Sequence, residues 1–220
     1  MSNNNNNKKF PVVTVVVVSV AVLALGYFLF KSSPDNLANS ARTNQTASTD
    51  DHHGGSVMAS NSDALNSLIG KPMPDIQLSD KDGKVYTADD FKGKNTVLFF
   101  NEGLMCYPAC WNQMASFGAD QRFNDDQIQA ISVVVDSAKD WQTAIAKMPQ
   151  LAKATTMFDA NANASRQLGI LTTASSMHRG SLPGHTYIVL DKDAVVRYVF
   201  DDPNMAIAND MLFCKIGELN

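Results

Sequence analysis

A stretch of 21 residues near the start of the sequence carries no charged side chain. It runs from residue 10 to residue 30 and reads FPVVTVVVVSVAVLALGYFLF. A helix of about 20 apolar residues spans the hydrocarbon core of a bilayer, and in lipid a helix satisfies the backbone of even a valine-rich segment. The stretch therefore predicts one transmembrane helix, which confines any water-soluble fold to the rest of the chain.

This helix is predicted to be an uncleaved anchor, with a cleaved signal peptide as the alternative. A signal peptide has a shorter apolar run and an Ala-x-Ala-like cleavage site, whereas this run ends in FLF and is followed by Lys31. Lys8 and Lys9 precede it, and positive charge favours a cytoplasmic N-terminus. We therefore expect a single-pass protein of the cell membrane, with the folded domain outside the cytoplasm.

The other segments differ in composition. Residues 1–9 form a polar cytoplasmic tail with a run of asparagines, and residues 31–62 are rich in Ser, Asn, Ala, Thr and Asp, which is typical of a disordered tether. Only residues 63–220 can bury a sizeable core. The formal net charge of −4 disfavours a broad electrostatic surface for nucleic acid. No nucleic-acid partner is expected.

Strand and helix patterns alternate within residues 63–220. The run TVLFFN at residues 96–101 is almost continuously apolar, as in a central strand that is buried on both faces. Further strands are predicted at residues 128–135, 155–158, 186–190 and 195–200. Helices are predicted from Tyr107 to Asp120, from a Ser137 cap to Lys147, from an Asn161 cap to Gly169, and from Asn204 to Ile216, with residues 170–185 as a loop. This order predicts an α/β fold with a mixed sheet.

Two of the three cysteines follow the central strand directly, in the sequence Cys106-Tyr107-Pro108-Ala109-Cys110. A thiol at a helix N-terminus faces unpaired N–H groups and the positive end of the helix dipole, which lowers its pKa. Residues four apart share a helix face, so the two sulfurs can approach closely enough to form a disulfide. The motif favours a redox dithiol or a pair of soft Cu(I) ligands over two inert buried cysteines.

Three stretches together resemble the thioredoxin-fold redoxins, a group that includes alkyl hydroperoxide reductase/thiol-specific antioxidant proteins and membrane-anchored thiol–disulfide oxidoreductases. They are GKPMPDIQLSDKDGKVYTADDFKGKNTVLFFN at residues 70–101, the cysteine motif, and GHTYIVLDKDAVVRYVF at residues 184–200. The resemblance covers about residues 65–216. It implies a thioredoxin-like fold, with a central mixed β-sheet flanked by helices, and redox chemistry at Cys106 and Cys110.

The chain departs from this family pattern at several positions. Three residues separate the cysteines, where thioredoxin-like reductants usually have two. Peroxiredoxins usually carry Pro and Thr or Ser seven and three residues before the peroxidatic cysteine, and those positions are Phe99 and Gly103 here. The resemblance also places His185 where the fold usually has a cis-proline that faces the active cysteines.

His185 is therefore predicted to face Cys106. A histidine there could lower a thiolate pKa, shuttle a proton, complete a metal site or simply be a hydrogen-bonded structural residue. The Sco-type copper chaperones share the fold and combine a Cys-x-x-x-Cys motif with a distal histidine. Cys106, Cys110 and His185 resemble that set, so copper is the alternative cofactor, and otherwise none is expected.

Three further residues are judged by position. Glu102 ends the central strand and is predicted to be a proton acceptor for the dithiol. His178 is predicted to lie on the surface. Cys214 falls in the last predicted helix, where a buried apolar role is favoured over that of a resolving cysteine.

The leading hypothesis is a membrane-anchored extracytoplasmic thiol–disulfide oxidoreductase that acts on the thiols or disulfides of partner proteins. In it, Cys106 attacks the partner disulfide and Cys110 resolves the mixed disulfide. A peroxiredoxin-like thiol peroxidase, with peroxide as substrate, is the first alternative. A Sco-like copper-binding assembly factor is the second.

Overall fold

The structure is a computed structural model that describes residues 62–219. The predicted cytoplasmic tail, the transmembrane helix at residues 10–30 and nearly all of the tether lie outside the described residues, so these assignments stay predictions. Within residues 62–219, no helix is both long enough and apolar enough to cross a bilayer.

Seven strands form one sheet, in the spatial order β2-β1-β5-β4-β3-β6-β7. The strands are β1 (Leu78–Ser79), β2 (Val85–Tyr86), β3 (Asn95–Asn101), β4 (Ile128–Val134), β5 (Thr155–Phe158), β6 (Thr186–Leu190) and β7 (Val196–Asp201). β3 pairs in parallel with β4, and β4 with β5, whereas β3 and β6 are antiparallel. The predicted mixed sheet is therefore confirmed.

The central strand β3 is buried along its whole length. Its side chains alternate between two cores, because successive residues of a strand point to opposite faces. Val97 and Phe99 belong to one core, and Leu98 and Phe100 to the other. This confirms the sequence-based expectation of a strand with both faces covered.

The described residues form five α-helices and several short 3-10 turns. The helices are α1 (Asp63–Asn66), α2 (Ala109–Ala119), α3 (Ala138–Lys147), α4 (Asn163–Gln167) and α5 (Asn209–Gly217). The 3-10 turns are Ala88–Phe91, Gly103–Met105, Gln121–Phe123, Pro149–Lys153, Ala160–Ala162 and Ile170–Thr172, the last of which lies within the predicted loop. The predicted cap of α3 is confirmed, since Ser137 Oγ accepts the Asp140 N–H at 3.1 Å.

The prediction that Asn161 caps a helix was wrong. Asn161 has a left-handed backbone with φ of 57°, and α4 begins only at Asn163. The carboxylate of Asp159 instead accepts the N–H groups of Ala164 and Ser165 at 2.8 and 2.9 Å. An acidic side chain four residues before the helix therefore satisfies its first turn.

The last helix also begins later than predicted, at Asn209 rather than Asn204. The carboxylate of Asp202 accepts the amides of Asn204 and Ala206 at 2.9 and 2.8 Å, which holds this segment in a turn. The Ala208 N–H then donates to Gln113 Oε1 on α2 at 2.7 Å. Side chains from outside the helix thus set its start, which the local sequence does not show.

Candidate functional site

Cys106 and Cys110 form a disulfide directly after the central strand. The chain leaves β3, passes through the 3-10 turn that ends at Met105, and reaches Cys106. The Cα atoms of the two cysteines are 5.4 Å apart, as the spacing predicted. The site therefore lies at the carboxyl end of β3, where open α/β sheets place their ligands and reactive groups.

The helix that carries Cys110, α2, starts two residues later than the predicted start at Tyr107. α2 begins at Ala109 with Pro108 as its N-cap, and the dihedral angles of Cys106 are non-helical, with φ of −98° and ψ of 39°. Cys106 thus precedes the helix, while Cys110 lies in its first turn. The Cys110 N–H donates to the Cys106 carbonyl at 3.0 Å, which keeps the two residues together.

Both sulfurs lie just below the surface. Cys106 is 2% exposed and Cys110 is 0% exposed. The neighbours of Cys106 differ sharply from it, because Met105 and Tyr107 are 58% and 64% exposed. Cys106 thus lies between two exposed residues in the chain, whereas Cys110 is followed by the buried Trp111.

The turn before Cys106 is fixed by polar contacts from three directions. Asn101 Oδ1 accepts the Gly103 N–H at 2.9 Å, and Asp136 Oδ2 accepts the Leu104 N–H at 2.9 Å. The Trp111 indole N–H donates to the Gly103 carbonyl at 3.0 Å. Burial raises the pKa of Asp136 above its usual value.

Gly103 is required by this turn. Its φ is +61°, which L side chains rarely adopt, and a Cβ atom there would collide with Asp136 Oδ2. Gly103 stands where peroxiredoxins usually carry Thr or Ser. The backbone and Asp136 therefore exclude an activating hydroxyl from this position.

His185 precedes β6 and is fully buried beside the disulfide. Its Nδ1 lies 3.4 Å from Cys110 Sγ, and its Nε2 lies 2.7 Å from the Tyr187 hydroxyl. His185 does lie beside Cys106, since the ligand atoms of Cys106, Cys110 and His185 are all within 4.8 Å of one another, but its hydrogen-bond contact is with Cys110. The reason is that Cys110 lies in the first turn of α2, whereas Cys106 lies before that helix.

The main chain of His185 is held by a separate set of hydrogen bonds, through Ser175 and Asp201. Ser175 Oγ accepts the His185 N–H at 2.6 Å and donates to the Asp201 carboxylate. The Ser175 N–H and the Thr186 hydroxyl also donate to that carboxylate, at 3.1 and 3.2 Å. The position of the histidine thus depends on the 170–185 loop and on β7.

Aromatic rings hold the imidazole between strands. The Phe99 ring stacks on Tyr187 with a centroid distance of 4.7 Å and meets the His185 ring edge-on at 4.6 Å. Phe99 and Tyr187 are paired across β3 and β6. Phe99, which stands where peroxiredoxins usually carry a proline, therefore forms one wall of the histidine site.

The electrostatics of this pocket follow from burial. Loss of water contact lowers the pKa of His185 from 6.5 to about 4, although Asp202 and the Ala206 main chain oppose the shift. Burial also raises the pKa of Tyr187 well above its usual value. At neutral pH the site therefore contains a neutral imidazole and a protonated phenol.

Glu102 is buried, and its carboxylate forms hydrogen bonds with the 176–178 segment. Oε1 accepts the N–H groups of Met177 and His178 at 2.7 and 3.1 Å, and the Ser176 hydroxyl at 3.3 Å. Oε2 lies 2.8 Å from His178 Nδ1. The structure thus uses this carboxylate to hold the loop, and its role as a proton acceptor for the dithiol stays a prediction.

The remaining predicted residues lie elsewhere. The His178 side chain is 42% exposed, which agrees with the surface position expected for it. Cys214 on α5 is a free and exposed thiol, so the expectation of a buried residue was wrong. The buried face of α5 is formed by Leu212 and Ile216 instead.

The three residues of the copper hypothesis do come together. The ligand atoms of Cys106, Cys110 and His185 all lie within 4.8 Å of one another. Two thiolates and an imidazole form a donor set that suits Cu(I), and binding would require the dithiol rather than the disulfide. These three residues would hold the ion.

Sequence reasoning missed Tyr187, Ser175, Asp201 and Asp136. Two signals were available. Tyr187 on β6 lies two residues after His185, and a spacing of two places side chains on one face of an extended chain. Asp136 follows β4, the parallel neighbour of β3, and so lies at the same edge of the sheet as the cysteines. Nothing in the local sequence indicates the Ser175–Asp201 contact.

Comparisons with known proteins bear on the family and the fold of this chain. The family model described as Redoxin matches residues 68–211. Peroxiredoxin Q, chloroplastic, from Triticum aestivum is 30% identical over 139 residues, which cover 60% of this chain and 58% of that protein. The chain thus spans less than two thirds of the length of this curated relative.

Solved structures resemble the fold at low sequence identity. Peroxidoxin BcpB from Mycobacterium tuberculosis has a TM-score of 0.57 and 18% identity, over 70% of this chain and 98% of that one. AhpC from Enterococcus faecalis has a TM-score of 0.58 and 14% identity, over 69% and 91% of the two chains. At these identities the likeness concerns the fold.

Proposed function

Because this chain belongs to the redoxin family, a family with the thioredoxin fold, we propose that it is a thiol–disulfide oxidoreductase that cycles between a Cys106/Cys110 dithiol and their disulfide. One observation carries the proposal. The two sulfurs are bonded at the carboxyl end of β3, with a neutral histidine 3.4 Å from Cys110. This arrangement provides a thiol pair together with a group that can hydrogen-bond to a sulfur as its charge changes.

The exchange with a partner disulfide proceeds in two steps. The Cys106 thiolate attacks one sulfur of the partner, forms a mixed disulfide and releases the other sulfur as a thiolate. The Cys110 thiolate then attacks Cys106 Sγ, the mixed disulfide breaks, and the second partner sulfur leaves as a thiolate. The partner gains two electrons, and this chain gains its internal disulfide.

We also propose that the domain acts on extracytoplasmic thiols from a membrane anchor at residues 10–30. The support is the uncharged sequence of that stretch and the two lysines before it. Disulfides form and persist in such oxidising compartments. Alkaline extraction of membranes that contain the full chain, followed by protease accessibility of the domain from each side, tests both statements.

The redox function is tested by equilibrating the full chain with dithiothreitol over a series of potentials and mapping alkylated cysteines by mass. Cys106 and Cys110 should titrate together as a two-electron couple. Cys110→Ser should trap mixed disulfides at Cys106, whereas the matched Cys214→Ser variant should titrate like the wild type. Cysteines that never pair at any potential would refute the proposal.

Peroxide reduction is the second candidate activity, and the wheat relative's description as a peroxiredoxin favours it. Cys106 would attack one peroxide oxygen, which breaks the O–O bond, and become a sulfenic acid while the other oxygen leaves as an alcohol, or as water from hydrogen peroxide. Cys110 would then condense with the sulfenic acid to a disulfide and release water. Gly103 leaves this chemistry without the usual hydroxyl. Peroxide consumption with dithiothreitol, measured against Cys106→Ser, decides whether the activity exists.

Copper binding is the third candidate, and the clustering of the three ligand atoms within 4.8 Å favours it. Anaerobic titration of the reduced full chain with Cu(I) and X-ray absorption would detect two sulfur ligands and one nitrogen ligand. His185→Ala should weaken binding if the imidazole is a ligand. An unchanged affinity in that variant would remove the proposed third ligand.

A further inference from the structure

The Tyr187 hydroxyl is buried next to His185 and has a single polar partner among the described residues. The Tyr187 side chain is 0% exposed, and its oxygen lies 2.7 Å from His185 Nε2. A phenol carries one proton to donate and also accepts hydrogen bonds. The direction of this one hydrogen bond therefore decides whether a buried donor is left without an acceptor.

Only one direction satisfies both groups. If His185 Nε2 carried the proton, it would donate to the Tyr187 oxygen, and the phenolic proton would have no acceptor. If the phenol donates instead, Nε2 is the acceptor and no buried donor is lost. An unsatisfied buried donor is costly, so the Tyr187 hydroxyl donates to Nε2.

This direction determines the other side of the ring. A neutral imidazole carries its proton on only one of its two nitrogens. With Nε2 as an acceptor, the proton lies on Nδ1, which is 3.4 Å from Cys110 Sγ. Phe99 holds both rings in place by stacking on Tyr187 and packing edge-on against His185.

We propose that Tyr187 is a positioning residue that fixes His185 as the Nδ1–H tautomer, so that Cys110 is the thiolate released when the disulfide is reduced. The proposal deepens the proposed function and rests on it for the redox step alone. The tautomer itself is a property of the resting protein. For the reduction of the Cys106–Cys110 disulfide, the proposal identifies the substrate as a thiolate that attacks Cys106.

The reductive step balances with a thiol reductant as co-reactant. The reductant thiolate attacks Cys106 Sγ, a new sulfur–sulfur bond forms, and the Cys106–Cys110 bond breaks. The electron pair leaves on Cys110 Sγ, which accepts a hydrogen bond from His185 Nδ1–H without transfer of the proton. A second reductant thiolate then attacks the mixed disulfide at the reductant sulfur, forms the oxidised reductant and releases the Cys106 thiolate.

Accessibility supports attack at Cys106. The Cys110 sulfur is enclosed on the histidine side, whereas Cys106 lies between the exposed Met105 and Tyr107. Attack at Cys110 would expel Cys106, whose sulfur lacks the direct contact with the histidine. The His185 Nδ1–H donor therefore contacts the leaving sulfur, Cys110 Sγ, rather than the attacked sulfur of Cys106.

Nitrogen-15 NMR of the full chain in detergent micelles, labelled at histidine, tests the tautomer directly. The sequence has only four histidines, so His185→Gln assigns the signal. The expected spectrum at neutral pH has a protonated Nδ1 and an unprotonated Nε2, in both the oxidised and the reduced protein. A proton on Nε2 would overturn the proposal, whether or not the protein exchanges disulfides.

The second measurement is the equilibrium between the disulfide and dithiothreitol. Tyr187→Phe should lower the equilibrium constant for reduction by about tenfold, which corresponds to about 1.4 kcal/mol. Tyr198→Phe is the matched control, since it removes a hydroxyl from β7 that has no hydrogen bond to His185, and it should leave the constant unchanged. Equal constants in Tyr187→Phe and wild type would overturn the proposal. A disulfide that cannot be reduced in any of these proteins would refute the proposed function instead.

Discussion

His185 and His178 are both hydrogen-bonded through a ring nitrogen, but their surroundings and partners are opposite in character. His185 is fully buried between neutral partners, Cys110 and Tyr187. The His178 side chain is 42% exposed and contacts a buried carboxylate, Glu102. Burial outweighs the opposing effects of Asp202 and the Ala206 main chain and keeps the first ring neutral, so it can serve as an oriented hydrogen-bond donor to sulfur.

The Glu102–His178 region is organised around a buried carboxyl group instead. The buried carboxylate accepts two main-chain N–H groups, the Ser176 hydroxyl and the ring of His178. These contacts connect the end of β3 to the loop that also supplies Ser175 to His185. The comparison therefore separates a region that positions the chemistry from one that anchors the loop, and variants of each should show different losses.

The largest effect is expected from Glu102→Ala. Removal of the carboxylate leaves the amides of Met177 and His178 without their acceptor, and the free energy of unfolding should fall by about 4 kcal/mol. Glu102→Gln, which keeps one acceptor oxygen, should lose about half as much. Urea unfolding of the full chain in detergent measures both. If Glu102→Ala costs less than about 1 kcal/mol, the anchoring role assigned to this carboxylate is wrong.

Low pH should reduce the stability of the folded protein through His185. The pKa of His185 is about 4 in the folded protein against 6.5 without the burial. Between these pH values the unfolded chain binds more protons than the folded one, so stability falls as the pH is lowered from 6.5 towards 4. The loss should reach up to about 3 kcal/mol.

The difference between wild type and His185→Gln isolates this contribution, because other acidic groups titrate in both proteins. Asp136, whose pKa is raised by burial, acts in the opposite direction and cancels in the comparison. Urea unfolding at several pH values supplies the curves. Parallel curves for the two proteins would show that His185 does not titrate with a lowered pKa.

Ser175→Ala should have an intermediate effect. The hydroxyl accepts the His185 N–H and donates to Asp201, so its loss should cost about 2 kcal/mol. Ser181→Ala, in the same loop but exposed, should change stability by less than about 0.5 kcal/mol. Thermal unfolding of both variants measures the difference. Equal stabilities would mean that the loop holds His185 by other contacts.

The sequence was most informative where one apolar pattern decides the structure. The run at residues 96–101 predicted a central strand, and the spacing of Cys106 and Cys110 predicted that their sulfurs could meet. Helix starts were less predictable, because Asp159 and Gln113 satisfy them from outside the helix. The histidine site was predictable only in part, since Tyr187 forms it through a hydrogen bond whose direction depends on burial.

The smallest effect is expected from His178→Ala. The ring is 42% exposed, so water screens its interaction with Glu102, and the change in unfolding free energy should be about 0.5 kcal/mol. The main-chain N–H of residue 178 is kept in alanine and still donates to Glu102, as does the N–H of Met177. His178→Ala should therefore retain most of what Glu102→Ala loses, and the two variants measured side by side show how much of the anchor is main chain. A loss in His178→Ala as large as that in Glu102→Ala would place the imidazole, rather than the amides, at the centre of this region, and the contrast between the two histidines would have to be redrawn.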